Sequence, residues 1–203
     1  MKEKISLNPI LNSFQKTVHK YNIDYQLIET FLRSMEMDLE DHFYNQKLYE
    51  QYILGSAEVV GLMCLKVFCL GNEDLYNKLK GDAMKLGSAF QKINFLRDFN
   101  ADINDLGRSY FPNVNMEQFN DNVKAEIEKD IEKDFADGYR GIQGLPKNAR
   151  LGVYIAYIYY YSLFKKIQKI PASQVMKKRI RIPNEKKYSL FVGSYIKHQF
   201  NLI

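Results

Sequence analysis

Apolar residues recur at intervals of three and four along most of the chain, and this helical period limits the fold more than any other feature. Residues 9–20 and 24–38 each place their apolar side chains on one helix face, and the longer segments 46–70 and 73–103 continue as helices. No alternating run predicts a strand, and 11 Gly and 5 Pro are few for the turns of a many-stranded sheet. The sequence therefore predicts a single all-α domain over residues 1–203.

In the second half of the chain, Pro, Gly, Asn and Ser mark the boundaries between helical segments. The predicted elements are, in chain order, a loop over 104–115, a polar helix over 116–136, a glycine-rich turn over 138–144, a tyrosine-rich helix from 146 to about 170 and a last helix over 186–200.

Basic residues concentrate at the end of the chain. Residues 165–203 hold ten Lys or Arg and one acid, Glu185, whereas the whole chain has a net charge of +5. This segment suits a phosphate-bearing ligand, an anionic membrane surface or a nucleic acid, and charge alone does not choose among them. The run 177–181 within it is ordinarily solvated, yet it could contact diphosphates or an anionic membrane.

Nothing in the sequence predicts a span or a secretion signal. No stretch approaches about 18 uninterrupted apolar residues, so a membrane-spanning helix is not expected. The first residues lack the apolar core of a signal peptide. Two cysteines give no disulfide framework, which favours a cytoplasmic protein.

The segment 86–102 places four polar side chains on one side of a helix, within an arc of about 80° at about 100° per residue. They are Gln91, Asn94, Asp98 and Asp102. The other directions are mostly apolar, occupied by Leu86, Ala89, Phe90, Ile93, Leu96 and Phe99. A polar helix face is ordinarily solvated, but a helix that is apolar nearly all round is usually buried. We therefore expect the polar stripe, as we call these four residues, to face an internal cavity that holds water.

Two carboxylates one helical turn apart, Asp98 and Asp102, repel each other unless a cation bridges them. Hard oxygen ligands of this kind suit Mg²⁺, which is commonly held jointly by carboxylates and substrate phosphates. A carboxylate-lined mouth above an apolar pocket is therefore a suitable receptor for a lipid diphosphate. The pair alone is a weak signal, and its setting on a buried helix strengthens it.

Three blocks of the sequence resemble one family, the squalene/phytoene synthases, which join two prenyl diphosphates head to head. The most specific block is similar to the second aspartate-rich motif of that family and reads Gln91-x-x-Asn94-x-x-Arg97-Asp98-x-x-x-Asp102, followed by Gly107-Arg108-x-Tyr110-x-Pro112. The other two are Tyr52-x-x-Gly55-x-Ala57-x-x-Val60-Gly61 and, more weakly, Tyr160-x-x-Leu163-Phe164-x-x-Ile167. The similarity covers the chain from about residue 27 onward.

The resemblance implies roles for residues of the second motif. Asp98 and Asp102 would hold Mg²⁺ ions on the diphosphates, as metal ligands and catalytic residues. Gln91 and Asn94 would complete the polar mouth. Arg97 lies off the stripe, so contact with a diphosphate and bracing of an aspartate both stay open.

The other two blocks would supply residues that contact the substrate. Tyr52 would line the reaction centre as a catalytic and substrate-binding residue; the alternative is a buried ring with a satisfied hydroxyl. Ala57 and Gly61, one turn apart, would give space for a prenyl chain, allow close helix packing, or both. Tyr160 would face the substrate.

The resemblance also implies an all-α isoprenoid synthase fold, a helical bundle around a central cavity. Family enzymes carry an earlier aspartate-rich motif, and nothing before residue 80 supplies it, since Asp38-x-x-Asp41 has the wrong spacing. We therefore expect the chain to match about the C-terminal two-thirds of the family domain. A truncated gene, a misassigned start and a naturally short relative stay open, and activity of the chain alone is doubtful.

The expected function is Mg²⁺-dependent condensation of two geranylgeranyl diphosphates to phytoene, a step in carotenoid biosynthesis. The alternative within the family is squalene or dehydrosqualene synthesis from farnesyl diphosphate. A non-catalytic protein that binds prenyl diphosphate or acts as a scaffold is the alternative of another class. The expected partner is the prenyl diphosphate, with peripheral membrane contact through the basic C-terminal region and no nucleic acid. The expected location is the cytoplasm, at or away from the membrane.

Overall fold

Helices account for nearly all of the regular structure. A computed structural model describes residues 6–39, 44–106, 110–112, 114 and 117–203, and contains no strand within those ranges. The helices of the described residues are α1 (Pro9–Lys20), α2 (Tyr25–Glu36), a 3₁₀ turn (Met37–Leu39), α3 (Gln46–Ile53), a π-helical segment (Leu54–Glu58), α4 (Val59–Phe68), α5 (Glu73–Leu106), α6 (Asp121–Gly144), α7 (Lys147–Gln168), α8 (Ala172–Val175) and α9 (Asn184–Gln199).

Asn and Asp side chains fix the starts of several helices. Asn8, Asp24, Asn45, Asn72 and Asn120 each accept a hydrogen bond from a backbone N–H in the first turn of the helix that follows. Those first-turn N–H groups have no partner within the helix, so a capping side chain satisfies them. The short polar residues between the apolar segments thus set where α1, α2, α3, α5 and α6 begin.

The all-α prediction is confirmed, and two of its boundaries are corrected. The long helix predicted over 73–103 continues to Leu106 as α5, so residues 104–106 of the predicted loop are helical. The helix predicted over 46–70 is divided by the π-helical segment 54–58 into α3 and α4. Residues 107–109, 113 and 115 of the predicted loop, and residue 116 at the predicted start of the next helix, lie outside the described residues.

The glycine-rich turn predicted over 138–144 is wrong, because α6 runs through it without a break. Gly138 and Gly141 face α5, where an added Cβ would lie 2.9 Å from the Cβ of Leu86 and 2.6 Å from the Cβ of Asp82. These glycines permit the close approach of two helices and do not form a turn. The chain leaves the helix only at Leu145, whose backbone is extended.

The π-helical segment Leu54–Glu58 bulges where the chain passes close to α2. An added Cβ on Gly55 would lie 2.5 Å from the Cβ of Ser34 and 2.7 Å from the carbonyl oxygen of Thr30. The hydroxyl of Ser56 donates to the carbonyl of Tyr52 at 2.6 Å. Such single-turn bulges are frequent at functional sites, and this one immediately precedes the cavity-lining part of α4.

Helix α5 lies at the centre of the bundle and contacts α4, α6, α7 and the π-helical segment. Its residues Ala89, Ile93 and Leu96 are completely buried. Burial of this helix on most sides agrees with its apolar circumference. The residues of the polar stripe are therefore carried on the central helix of the bundle.

One helical stretch, Gln46–Phe68, is long and apolar enough to cross a membrane by length and composition, with a mean hydropathy of 1.3 and 39% of its most apolar window buried. Core helices pass the same test, and this stretch packs against α2 and α5. It is weak evidence for a span.

Candidate active site

A cavity of about 610 Å³ lies between α4, α5, α6 and α7. Its size falls within the roughly 300–1,000 Å³ common for small-molecule pockets. It runs beside α5 from Leu79 to Gln91, about 18 Å at a rise of about 1.5 Å per residue. Small residues line much of it: Ala57, Gly61, Ala83, Gly87, Gly138, Gly141 and Gly152. The lining is mostly apolar, and Gln91 lies at the end nearest the polar stripe.

Ala57 and Gly61, for which the resemblance implies space for a prenyl chain or close helix packing, line this cavity. They are also at a close helix contact. An added Cβ on Gly61 would lie 2.9 Å from the carbonyl oxygen of Ala83, and one on Gly87 would lie 2.6 Å from that of Ala57. Close packing and space in the cavity therefore occur together at these positions, since small residues serve both.

Beyond the cavity, the polar stripe continues through a chain of side-chain contacts. The amide of Asn94 donates to Oε1 of Gln91 at 3.4 Å, and the hydroxyl of Tyr160 donates to Oδ1 of Asn94 at 3.3 Å. The ring of Tyr160 stacks on Phe90 with centroids 4.3 Å apart. The structure thus brings Gln91, Asn94 and Tyr160 together, although they come from two different predicted blocks.

Asp98 is held by two arginines. Nη2 of Arg97 lies 2.5 Å from its Oδ2, and Nε of Arg179 lies 2.7 Å from its Oδ1. The hydrogen bond with Asp98 raises the pKa of Arg97 above its ordinary value. Arg97 therefore contacts Asp98 directly. Asp102, one turn along α5, is half-buried.

The donor chemistry of the stripe fits Mg²⁺ only with help from another molecule. Among the described residues, no three His, Cys, Asp or Glu side chains lie close enough to hold a metal ion by themselves. Asp98 and Asp102 offer the hard oxygens that Mg²⁺ prefers, and phosphate oxygens commonly complete such a site. Binding at Asp98 would also require Arg97 or Arg179 to shift, since each now contacts a carboxylate oxygen.

Tyr52 lies apart from the cavity, in a cluster of aromatic rings. Its hydroxyl donates to Oδ2 of Asp38 at 3.1 Å, and its ring contacts Tyr44, Phe95 and Tyr110 with centroids 5.1 to 5.9 Å apart. Burial, aided by Tyr110 and Asp38, raises the pKa of Tyr52 well above its ordinary value. The placement is that of a buried ring with a bonded hydroxyl.

A buried ion cluster on another side of α5 was not predicted from the sequence. Nζ of Lys92 contacts Asp130 and lies 2.7 Å from Oδ2 of Asp134, which also accepts a hydrogen bond from Ser88 at 2.8 Å. Nζ of Lys85 lies 3.3 Å from the other oxygen of Asp134. Burial by itself lowers the pKa of Lys92, but the two carboxylates outweigh it and raise the pKa. The sequence offers one signal for this cluster. Ser88 and Lys92 are four residues apart, as are Asp130 and Asp134, so each pair lies on one face of its helix.

A family model described as squalene/phytoene synthase matches residues 2–186. The chain belongs to the squalene/phytoene synthase family. It is 26% identical to a 4,4'-diapophytoene synthase of Staphylococcus haemolyticus, over 60% of this chain and 41% of that protein. It is 26% identical to a 15-cis-phytoene synthase of Synechocystis, over 90% of this chain and 61% of that protein. The chain thus spans between two-fifths and about three-fifths of the length of these curated relatives.

A solved structure supports the fold. The crystal structure of squalene synthase HpnC from Alicyclobacillus acidocaldarius matches with a TM-score of 0.70 and 18% identity, over 85% of this chain and 68% of that one. At this identity the match concerns the fold alone. It confirms the all-helical isoprenoid synthase fold that the sequence resemblance implies.

Proposed function

We propose that the chain is a phytoene synthase-like prenyltransferase, which condenses two geranylgeranyl diphosphates head to head with Mg²⁺. One observation carries the proposal: a single buried helix, α5, bears both the wall of an apolar cavity and the polar stripe that continues from its end at Gln91. An apolar chain with a diphosphate at one end has this same division of chemistry. Family membership agrees with it.

In this proposal the cavity takes the hydrocarbon and the stripe takes the diphosphate. Asp98 and Asp102 would hold Mg²⁺, which when bound offsets the charge of the diphosphate leaving group. Arg97 and Arg179 lie against Asp98 and bring two further positive charges to the same place. Tyr160 fixes the amide of Asn94 by its hydrogen bond, so the head of the stripe is oriented before a ligand arrives.

Phytoene synthesis comes first among the family reactions because the 15-cis-phytoene synthase aligns with 90% of this chain, against 60% for the 4,4'-diapophytoene synthase at equal identity. The second candidate is squalene or dehydrosqualene synthesis from farnesyl diphosphate, favoured by the name of the 4,4'-diapophytoene synthase relative. A binding protein without turnover is the candidate of another class. Asp98 engaged by two arginines favours it.

The test incubates the purified chain with Mg²⁺ and each radiolabelled diphosphate, and adds NADPH in one arm because squalene formation needs a reductant. Extracted hydrocarbons are separated and identified, and free diphosphate is measured in parallel. Phytoene from geranylgeranyl diphosphate is the expected product. Dehydrosqualene or squalene from farnesyl diphosphate would favour the second candidate. If both diphosphates bind and no hydrocarbon forms, the result would favour the binding protein without turnover. Absence of binding would overturn the proposal.

A further inference from the structure

Helix α9 turns its apolar side away from the rest of the protein. It packs against α7 through a side where Ser194 is buried and Leu190 and His198 are half-buried. The outward side carries large apolar residues that are 39–73% exposed: Tyr188, Phe191, Val192, Tyr195, Ile196 and, just after the helix, Phe200. We call these six residues the α9 face. A helix on a water-facing surface normally shows the opposite arrangement.

The α9 face is a continuous surface, because its residues follow the spacing of three and four along one side of the helix. Contiguous exposed apolar surface of this kind marks an interaction site. None of the six residues lines the cavity, and five of them lie in α9 beyond residue 186, where the match to the family model ends. The family function therefore gives no account of this surface.

Two exposed lysines of α9 lie beyond one edge of the α9 face. At about 100° per residue, Lys186 and Lys197 lie about 120–140° from Val192, on one side of the face. Lys187 lies toward the packed side, and its Nζ is 5.6 Å from the ring centroid of Tyr159 in α7. All three are exposed. Glu185, the one acid among residues 165–203, is in the first turn of the helix, on the apolar side. Aromatic and aliphatic residues beside exposed lysines are typical of helices that lie in a membrane interface.

We propose that α9 is an interfacial helix that docks the protein on an anionic lipid membrane. The apolar side chains would enter the boundary between headgroups and acyl chains, and Lys186 and Lys197 would contact the anionic headgroups. Charge argues against a second copy of the chain as the occupant, because α9 carries three lysines and one acid, Glu185. Two such surfaces would repel each other when brought face to face. The inference stands independently of the proposed catalytic function.

The test is sedimentation of the full chain with sucrose-loaded vesicles, of phosphatidylcholine alone or with one-third phosphatidylglycerol. We expect binding to the anionic vesicles and weak binding to the neutral ones. Lys186→Glu with Lys197→Glu should lower the anionic partition coefficient by about tenfold or more, because each basic residue near a charged bilayer contributes several-fold. Phe191→Ser with Ile196→Ser should lower it at least as much, because it removes the buried apolar area.

Two controls match these variants in charge and polarity. Lys129→Glu with Lys133→Glu makes the same charge change on exposed positions of α6, and a second pair of serines replaces the exposed Ile10 and Leu11 of α1. Both controls should bind as the unaltered chain does. All variants are first checked for unchanged helical circular dichroism.

A direct reporter is available because the chain has no Trp. The variant Phe191→Trp should show a blue-shifted emission with anionic vesicles, and quenching by lipids brominated near the headgroup. Absence of vesicle binding by the unaltered chain, equal effects of the α9 and control variants, or a Trp emission unmoved by vesicles would each overturn the proposal. A dimer in solution that Phe191→Ser with Ile196→Ser dissociates would overturn it in favour of a second copy.

Discussion

Replacement of Lys92 by Met should be one of the more damaging single changes in the bundle. Lys92 is 7% exposed and its partner Asp134 is 2% exposed, so the change leaves a buried carboxylate without its closest cation. Breaking a buried ion pair in this way costs about 3–5 kcal/mol. In the variant, Asp134 still accepts a hydrogen bond from Ser88 and still lies 3.3 Å from Nζ of the half-exposed Lys85. We therefore expect the loss of stability to be near the lower end of that range, about 3 kcal/mol.

For a chain of this size, a loss of about 3 kcal/mol corresponds to a fall in melting temperature of roughly 6–12 °C. The assay is urea and thermal unfolding followed by circular dichroism. Lys165→Met is the matched control, because it breaks an exposed pair with Glu132 and should cost less than about 1 kcal/mol. Lys92→Met with Asp134→Leu removes both buried charges and should restore most of the stability. If Lys92→Met is no more harmful than Lys165→Met, the buried cluster does not stabilise the contact of α5 with α6.

Two further predictions concern a buried acid and the cavity. Burial raises the pKa of Glu58 above its ordinary 4.5, so the folded chain keeps this proton where the unfolded chain has lost it, and stability falls as the pH rises through about 4.5 and above. In urea unfolding, Glu58→Gln should therefore stabilise the protein more at pH 7 than at pH 4. An equal change in stability at the two pH values would contradict a pKa raised by burial. At Gly152, which lines the cavity, an added Cβ meets nothing within 4 Å, so Gly152→Phe should weaken prenyl diphosphate binding in calorimetry without lowering the melting temperature. Gly81→Phe, at an equally open helical position away from the cavity, should bind normally; equal binding by both variants would exclude the cavity as the binding site.

Most of the helices could be predicted because their apolar periodicity is a local property of the sequence. The wrong prediction of a turn at Gly138 and Gly141 shows a feature that local sequence does not determine. Glycines three residues apart suit a turn and also suit the face of a helix that another helix approaches closely. Only the partner decides, and here the partner is the side of α5 that carries Asp82 and Leu86.

The candidate site divides in the same way. Gln91, Asn94 and Asp98 could be placed on one face of α5 because the helix period alone fixes that arrangement. Contacts across the chain could not be predicted, since Arg179 reaches Asp98 from 81 residues away. The charge of the segment containing Arg179 indicates an anionic partner, but the sequence gives no distance between a basic run and a particular carboxylate.

The central claim is that the polar stripe binds a prenyl diphosphate together with Mg²⁺, and isothermal titration calorimetry tests it most directly. The ligand is farnesyl thiodiphosphate, an analogue whose diphosphate resists ionisation. It is titrated into the protein in buffer that contains either Mg²⁺ or EDTA. The unaltered chain should bind only with Mg²⁺, and Asp98→Asn with Asp102→Asn should lose at least about tenfold in affinity, because both carboxylates that would hold the ion are removed. Glu117→Gln with Glu126→Gln, an equal charge change at exposed positions, should leave binding unchanged. Binding that persists in EDTA, or that is undiminished in the Asp98 and Asp102 variant, would contradict the account.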